Sequence, residues 1–285
     1  MSAEERDLLV LAAATGLPAA VLGVCYLRGL RRVLRHPQGR RRHLRRAWCL
    51  VAGVLTVLVI CSPAVGERLE QRLSTHMAQH LTLIMVAAPL LAYGAPGQPI
   101  LAGLPAVVRR RTVSTVRRLP TGVLATPHLA WAVSVGALWA WHLPGPYDAA
   151  VRSESLHLME HACFLVTAWL FWWHLATLSR RRLRGAAAAL YLLAAVPPGA
   201  ALGALLTFPR HPLYPAQAQH ALQSGVDPLV DQRIGGLVMW IPLDFVYLAA
   251  VVWYLVGWLR SMQVRWPEPD YDPALVDRPA PEVPR

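Results

Sequence analysis

The sequence predicts an all-α, polytopic membrane protein, built as a bundle of seven transmembrane helices. Of its 285 residues, 55% are hydrophobic and only 15% are charged, which is more apolar surface than one soluble core of this length needs. The charged residues are clustered between long apolar stretches, as in the loops of a membrane protein. Composition and charge distribution together disfavour a soluble enzyme.

Seven apolar stretches are long enough to cross about 30 Å of hydrocarbon, a distance that takes roughly 20 helical residues. Pro197, Pro198 and Gly199 predict a kink or interruption in the sixth stretch. The segment from Gly94 to Pro99 could form a re-entrant turn. The predicted spans are residues 8–27, 47–66, 73–95, 121–143, 156–178, 186–208 and 234–258.

The basic residues predict the orientation of the bundle. The formal net charge is +12, and all 28 basic residues are Arg. Nine Arg follow the first span, and further Arg clusters follow the third and the fifth. The positive-inside rule therefore places the N-terminus outside and the C-terminus in the cytoplasm of a bacterial cell. Because the Arg residues cluster in the predicted loops, we expect them to contact anionic lipids of the bilayer, and we do not expect a nucleic-acid partner.

The chain divides into two predicted parts. Residues 1–262 form the transmembrane domain, and residues 263–285, rich in Pro and acidic residues, form a disordered cytoplasmic tail. The first residues are acidic and lack a basic leader with a cleavage site, so we expect the first span to remain as an anchor. The four cysteines lie in apolar runs, which does not indicate a disulfide framework.

Two histidine pairs form the strongest chemical pattern in the sequence. His76 and His80 begin the third span, and His157 and His161 begin the fifth. A spacing of i, i+4 places both imidazoles of a pair on one helix face, one turn apart. By the predicted topology, all four histidines lie at similar depth near the outer surface. A single histidine there would more simply be satisfied by a backbone carbonyl or a lipid headgroup, but two matched pairs favour a metal site.

The neighbouring residues suggest which metal such a site would take. Soft donors near the pairs, from Met77, Met159, Cys61 and Cys163, would favour copper(I), whereas four imidazoles alone also suit zinc. For the methionines, packing in the core is the simpler role.

Other polar residues near the outer surface could support the site. Asp231 could hydrogen-bond a ligand imidazole, or could instead cap the seventh helix, and Gln232 follows it. Gly235 and Gly236 would let helices approach closely. Glu160 lies deeper, where it could be neutral, paired with Arg or involved in proton transfer, and Asp244 leaves the same choices open.

These residues together resemble a known family. The set His76-Met-x-Gln-His80 with Pro89, His157-x-x-x-His161 and Asp231-Gln-x-x-Gly-Gly-x-x-Met-Trp is similar to the multi-pass CtaG family of cytochrome c oxidase assembly proteins. The resemblance covers most of the chain and implies a non-enzymatic assembly factor that handles copper for the oxidase, with the oxidase subunits as partners. It departs from the family at Ala88, where a Pro is typical.

Two other functions fit part of the pattern. A metal transporter or channel would also place His and acidic side chains in membrane helices, but the predicted ligands concentrate on one side. A di-haem b-type cytochrome could use His128 with His142 on one helix and His161 with His174 on the next. His128 and His142 are 14 residues apart and share a helix face. His161 and His174 are 13 residues apart, which turns their side chains roughly 140° away from each other around the helix axis, so they could not both bind haem from one face.

Overall fold

A computed structural model describes residues 20–118, 126–176 and 183–265, and every regular element in these ranges is helical. A first helix, α1, covers residues 20–34. The following helices, with a π-helical turn at Leu83–Ala87 between α4 and α5, are α2 (Arg40–Ile60), α3 (Pro63–Leu69), α4 (Leu73–Thr82), α5 (Ala88–Gly94), α6 (Gly97–Gly103), α7 (Ala106–Arg118), α8 (Pro127–Trp141), α9 (Pro144–Arg152), α10 (Glu154–Ala176), α11 (Gly185–Leu193), α12 (Val196–Thr207), α13 (Pro215–Gln223) and α14 (Pro228–Arg265).

Four helical segments of the described chain are long and apolar enough to cross a membrane. They are Arg40–Ile60, Leu73–Gly103, Gly185–Thr207 and Pro228–Met262. Large apolar side chains such as Leu58, Phe245 and Trp253 point outward and are exposed, as expected of a surface in contact with lipid. The all-helical class is thus confirmed and the four apolar helices indicate a membrane protein, whereas seven spans and the orientation of the termini stay predictions.

Helices also occupy the other predicted spans. The described part of the fourth contains α8, and that of the fifth contains α10, which carries Glu160 and three histidines along its length. Residues 121–125 and 177–178 of these predicted spans lie outside the described residues. The predicted first span begins outside the described residues. Most of the predicted tail also lies outside them, since the last described residue is 265.

The predicted break in the sixth span is present. The helix stops at Leu193, two residues in a turn follow, and α12 begins at Val196 with Pro197 in its first turn. This is the position where a proline is tolerated, because its missing N–H has no partner in the helix anyway. After α5 the chain turns at Ala95, which has a left-handed φ of 43°. The segment beyond this turn forms α6, which packs on α1.

The long helix α14 holds the bundle together by packing on α12, α11 and α4. At its crossing with α12 the backbones almost touch: a Cβ built on Gly236 would lie 2.8 Å from the Gly203 carbonyl oxygen, and one on Gly203 would lie 3.0 Å from the Gly236 carbonyl oxygen. Gly235, on the adjacent face, lies against Leu73 and Met77 of α4. The expectation of close helix packing is confirmed at Gly236, whereas a Cβ on Gly235 would make ordinary van der Waals contacts with α4 at 3.4 Å.

Candidate metal centre

The two histidine pairs converge on one point inside the bundle. His76 and His80 project from α4, and His157 and His161 project from α10. One ring nitrogen from each of the four lies within 4.8 Å of the others. Ring centroids are 4.3 Å apart within the α4 pair, 4.1 Å apart within the α10 pair, and 5.1 Å apart for both His76 with His157 and His80 with His161. The i, i+4 spacing therefore does bring the imidazoles together.

Three of the four imidazoles are buried, and the fourth, that of His157, is partly buried. His76, His80 and His161 are at most 6% exposed, and His157 is 14% exposed at its side chain. Within the part of the chain that the structure describes, the Nε2 atoms of all four are buried without a hydrogen-bond partner. Buried polar atoms are normally paired, because leaving one unpaired costs about 1–3 kcal/mol. Four imidazoles with such atoms, each with one ring nitrogen within 4.8 Å of the others, fit a metal ion that is bound by all four.

The first turn of α4 is held in place by Asp231. The Asp231 carboxylate accepts hydrogen bonds from the backbone N–H of Leu73 (2.6 Å) and from the Ser74 hydroxyl (2.5 Å). Asp231 thus caps the helix that carries His76 and His80, and its hydrogen bonds go to backbone and hydroxyl groups of α4 rather than to an imidazole. The cap of α14 itself is Asp227, whose carboxylate accepts the N–H groups of Leu229 and Val230.

Gln232 also supports the fold around the site without touching a histidine. Its amide oxygen accepts the N–H of Leu213 (2.6 Å), and its amide nitrogen donates to the Leu206 carbonyl (3.1 Å). These bonds tie α14 to the end of α12 and to the loop that follows.

Tyr147, on α9, contacts His76 and was not predicted from the sequence. Its hydroxyl lies 2.9 Å from Nδ1 of His76, and the side chain is fully buried. Burial is the main cause that raises the pKa of Tyr147 well above its usual value, so the phenol stays protonated. With Nδ1 of His76 engaged by Tyr147, Nε2 is the nitrogen that faces the cluster.

Two carboxylates flank the cluster at different depths. Glu160 is completely buried, its Oε1 lies 3.7 Å from Nε2 of His80, and both of its oxygens lack a hydrogen-bond partner in the described ranges. Glu70 is half-exposed, and its Oε1 lies 3.4 Å from Nδ1 of His157. Glu160 was singled out from the sequence, whereas Glu70 belongs to the short helix-to-helix connection after α3 and carried no motif.

The predicted soft donors separate in the structure. Met77 is fully buried and its sulfur lies 3.3 Å from Nε2 of His142. Met159 is 51% exposed and points away from the cluster, since the residue lies on the outward face of α10. Cys61 lies at the edge of a cavity that reaches the histidines, and Cys163 is half-buried.

A cavity of about 440 Å³ connects the cluster to the surface of the bundle. His76, His157 and His161 line its inner end, and Glu70 and His220 are among the residues along its wall. The cavity therefore gives an ion a route from outside the bundle toward the partly exposed His157.

Comparison with known proteins decides the family. A family model described as cytochrome c oxidase caa3 assembly factor (Caa3_CtaG) matches residues 24–261. The chain belongs to this family. The match confirms the resemblance found in the motifs, and all four histidines lie within the matched residues.

One curated relative of this CtaG-family chain is the uncharacterized protein ML1998 of Mycobacterium leprae (strain TN). The two are 26% identical over 260 residues, which cover 86% of this chain and 38% of the relative. The chain thus spans well under half the length of that protein. No solved structure matches the chain significantly.

Proposed function

We propose that this CtaG-family protein binds copper at His76, His80, His157 and His161 and supplies it to, or stabilises it in, a cytochrome c oxidase during assembly. The observation that carries the proposal is the set of four histidines whose Nε2 atoms are buried without partners among the described residues and which each place one ring nitrogen within 4.8 Å of the others. Family membership supports oxidase assembly as the process.

Several features favour copper as the cargo. Imidazole suits both copper and zinc, but a thioether is a ligand for copper(I) and not for zinc. Met77 is buried on the helix that carries His76 and His80, and its sulfur lies 3.3 Å from Nε2 of His142. The buried carboxyl group of Glu160, beside His80, would compensate a bound cation if it loses its proton when the ion binds. Zinc is the second candidate ion on the four imidazoles alone.

The chain's own groups would control binding and release. Neutral imidazoles bind the ion, and His76 would use Nε2 while its Nδ1–H donates to the hydroxyl oxygen of Tyr147, which fixes the tautomer. Protonation of the imidazoles competes with the metal, so acidification weakens the site. Transfer to a partner is an exchange of ligands that leaves no covalent change in this protein.

We further propose that the protein crosses a bacterial cytoplasmic membrane seven times, with the N-terminus outside. The charge distribution supports this orientation, which places the histidine cluster near the outer surface. The cavity would then open toward the compartment from which copper is delivered.

The structure weighs against the two alternative functions. An outer haem would need His142 and His161 as its axial ligands, but the ring of His80 lies between them, with centroids 5.8 Å and 5.1 Å away. A transporter would need ligands along a whole path across the membrane, and the described residues contain one group of three or more His, Cys, Asp or Glu side chains that could hold a metal ion.

The proposal is tested by oxidase activity in cells whose own copy carries His76→Ala or His157→Ala. We expect lower oxidase activity while the variant protein stays folded and inserted, as measured by its amount in membranes and its elution after detergent extraction. His128→Ala, an exposed histidine on α8, is the matched control. Normal oxidase activity in both cluster variants would overturn the proposal.

A further inference from the structure

A second pair of donor atoms lies on the inner side of the histidine cluster. His142, at the end of α8, is 3% exposed, and its Nδ1 lies 2.7 Å from the Leu138 carbonyl oxygen. A carbonyl only accepts hydrogen bonds, so Nδ1 carries the proton. Neutral His142 therefore has its lone pair on Nε2.

That lone pair faces the sulfur of Met77. Nε2 of His142 lies 3.3 Å from Sδ of Met77, and Met77 is completely buried. Two atoms that both carry lone pairs meet here, in a region where water does not compensate them. Such a contact is stabilised either by a proton on Nε2 or by a soft cation bound to both atoms.

The separation of the two atoms fits a shared metal. With bonds of about 2.0 Å to nitrogen and 2.3 Å to sulfur, donors 3.3 Å apart subtend an angle of roughly 100° at the ion. This angle lies within the range of three- and four-coordinate sites.

His80 connects this pair to the outer cluster. Its ring centroid lies 5.8 Å from that of His142 and 5.1 Å from that of His161. Both ring nitrogens of His80 are buried, and neither has a hydrogen-bond partner among the residues described. His80 can thus present one nitrogen to the outer histidines and the other to the inner pair.

We propose that Met77, His142 and His80 form a second, inner site that is selective for copper(I). This inference rests on the proposed copper function. Two imidazoles with one thioether suit copper(I) and disfavour zinc, since zinc sites use thiolate, imidazole and carboxylate but not thioether ligands. The outer cluster would accept the ion, and the inner site would select it by its oxidation state.

Movement between the sites needs ligand exchange and a change of tautomer at His80. The ion is bound by His80 at both positions, through one ring nitrogen at the outer site and through the other at the inner site, and bonds to His157, His161 and His76 are replaced by bonds to Nε2 of His142 and Sδ of Met77. The N–H proton of His80 moves to the nitrogen that the ion leaves. No electron is transferred, and no proton is released if all imidazoles are neutral. Because His80 is shared, the two sites hold one ion between them.

The test uses X-ray absorption at the copper edge on the full chain in detergent, loaded with copper(I) without oxygen. We expect the wild type to show a sulfur neighbour at about 2.3 Å beside nitrogen neighbours, and Met77→Leu to lose the sulfur. Met85→Leu, another buried methionine on the same helical stretch, is the matched control and should keep it. His157→Ala weakens only the outer site, so it should increase the sulfur contribution.

A competition titration with a copper(I) chelator gives a second readout. Met77→Leu, a change that nearly conserves volume, should lower copper(I) affinity at least tenfold while zinc affinity stays unchanged. Copper bound to nitrogen alone in the wild type, or a sulfur signal that survives in Met77→Leu, would overturn the inner site and leave the outer site standing. No copper binding by the wild type would overturn both.

Discussion

The two histidine pairs share the same spacing but not the same surroundings. On α4, His76 and His80 are at most 1% exposed, His76 is hydrogen-bonded to Tyr147, and the helix start is held by Asp231. On α10, His157 lies partly open at the cavity, and its near polar neighbour is the half-exposed Glu70. The α4 pair is thus held in the core, whereas the α10 pair includes one histidine, His157, that is partly exposed to solvent.

This difference indicates a division of roles. A ligand that is held by buried hydrogen bonds needs no rearrangement when the ion binds, so the α4 pair should supply most of the affinity. A ligand at the cavity mouth meets the ion first, so His157 should govern entry and exit. If the two pairs instead contribute equally, their different surroundings have no consequence for the metal.

The largest effect should come from His80, since it contributes to both proposed sites. Substitution of a group that only supports a metal ligand typically lowers metal affinity 10–100-fold. Loss of the ligand itself should cost more, so we expect His80→Ala to weaken copper(I) binding by more than about 100-fold. His157→Ala should cost only about tenfold. Chelator competition on the purified proteins measures both, with His128→Ala as control. Equal losses at the two positions would contradict the division of roles.

Glu160→Gln should have the next largest effect. Its carboxyl group is buried 3.7 Å from His80 and can compensate the charge of a bound ion, whereas an amide of the same shape cannot. We expect copper(I) affinity to fall by roughly 30-fold, within the range for groups that surround metal ligands. Glu154→Gln, at the exposed start of the same helix, is the matched control. Affinity unchanged in Glu160→Gln would show that the buried carboxyl group does not act on the metal.

Tyr147→Phe tests the anchoring of the α4 pair. In the metal-binding tautomer the hydroxyl oxygen of Tyr147 accepts a hydrogen bond from Nδ1–H of His76, which leaves the lone pair of Nε2 for the ion. Loss of this bond should lower copper(I) affinity about tenfold by freeing the tautomer and the ring. The metal-free protein should also lose about 1–3 kcal/mol of stability, because Nδ1 of His76 is left without its buried partner. Tyr214→Phe, a neighbouring buried tyrosine whose hydroxyl donates to the His142 backbone carbonyl, should lower stability without a selective loss of copper.

Asp231→Ala should affect stability more than affinity. It leaves the Leu73 N–H and the Ser74 hydroxyl without their acceptor at a buried helix start, which costs about 1–3 kcal/mol. Copper affinity should fall only a few-fold, since the histidines remain on the same helix. Asp227→Ala removes the exposed cap of α14 and should cost about 1 kcal/mol with no effect on copper. Calorimetry and chelator competition on the two variants separate the effects.

The sequence predicts the site well where it depends on local geometry. The i, i+4 spacing of His76 with His80 and of His157 with His161 forces each pair onto one face, and Pro197 predicts the break before α12, because both effects act within one turn of helix. Gly236 was also recognisable as a close-packing position.

The features of the site that the sequence does not predict depend on contacts between segments that are distant along the chain. Tyr147 reaches His76 across 71 residues, His142 meets Met77 across 65, and Asp231 reaches Leu73 across 158. No periodicity within one helix encodes these pairings, which follow from how α9, α8 and α14 pack around α4. Asp231 was identified as a supporting residue, but which group it would bind was decided by tertiary packing.

The most direct test of the copper site is elemental analysis of the protein purified under reducing conditions from cells grown with copper. We predict one copper ion per chain in the wild type and in His128→Ala, and none in a variant that combines His80→Ala with His161→Ala while remaining folded. A wild type without copper, or a double variant that retains as much copper as the wild type, would contradict the account.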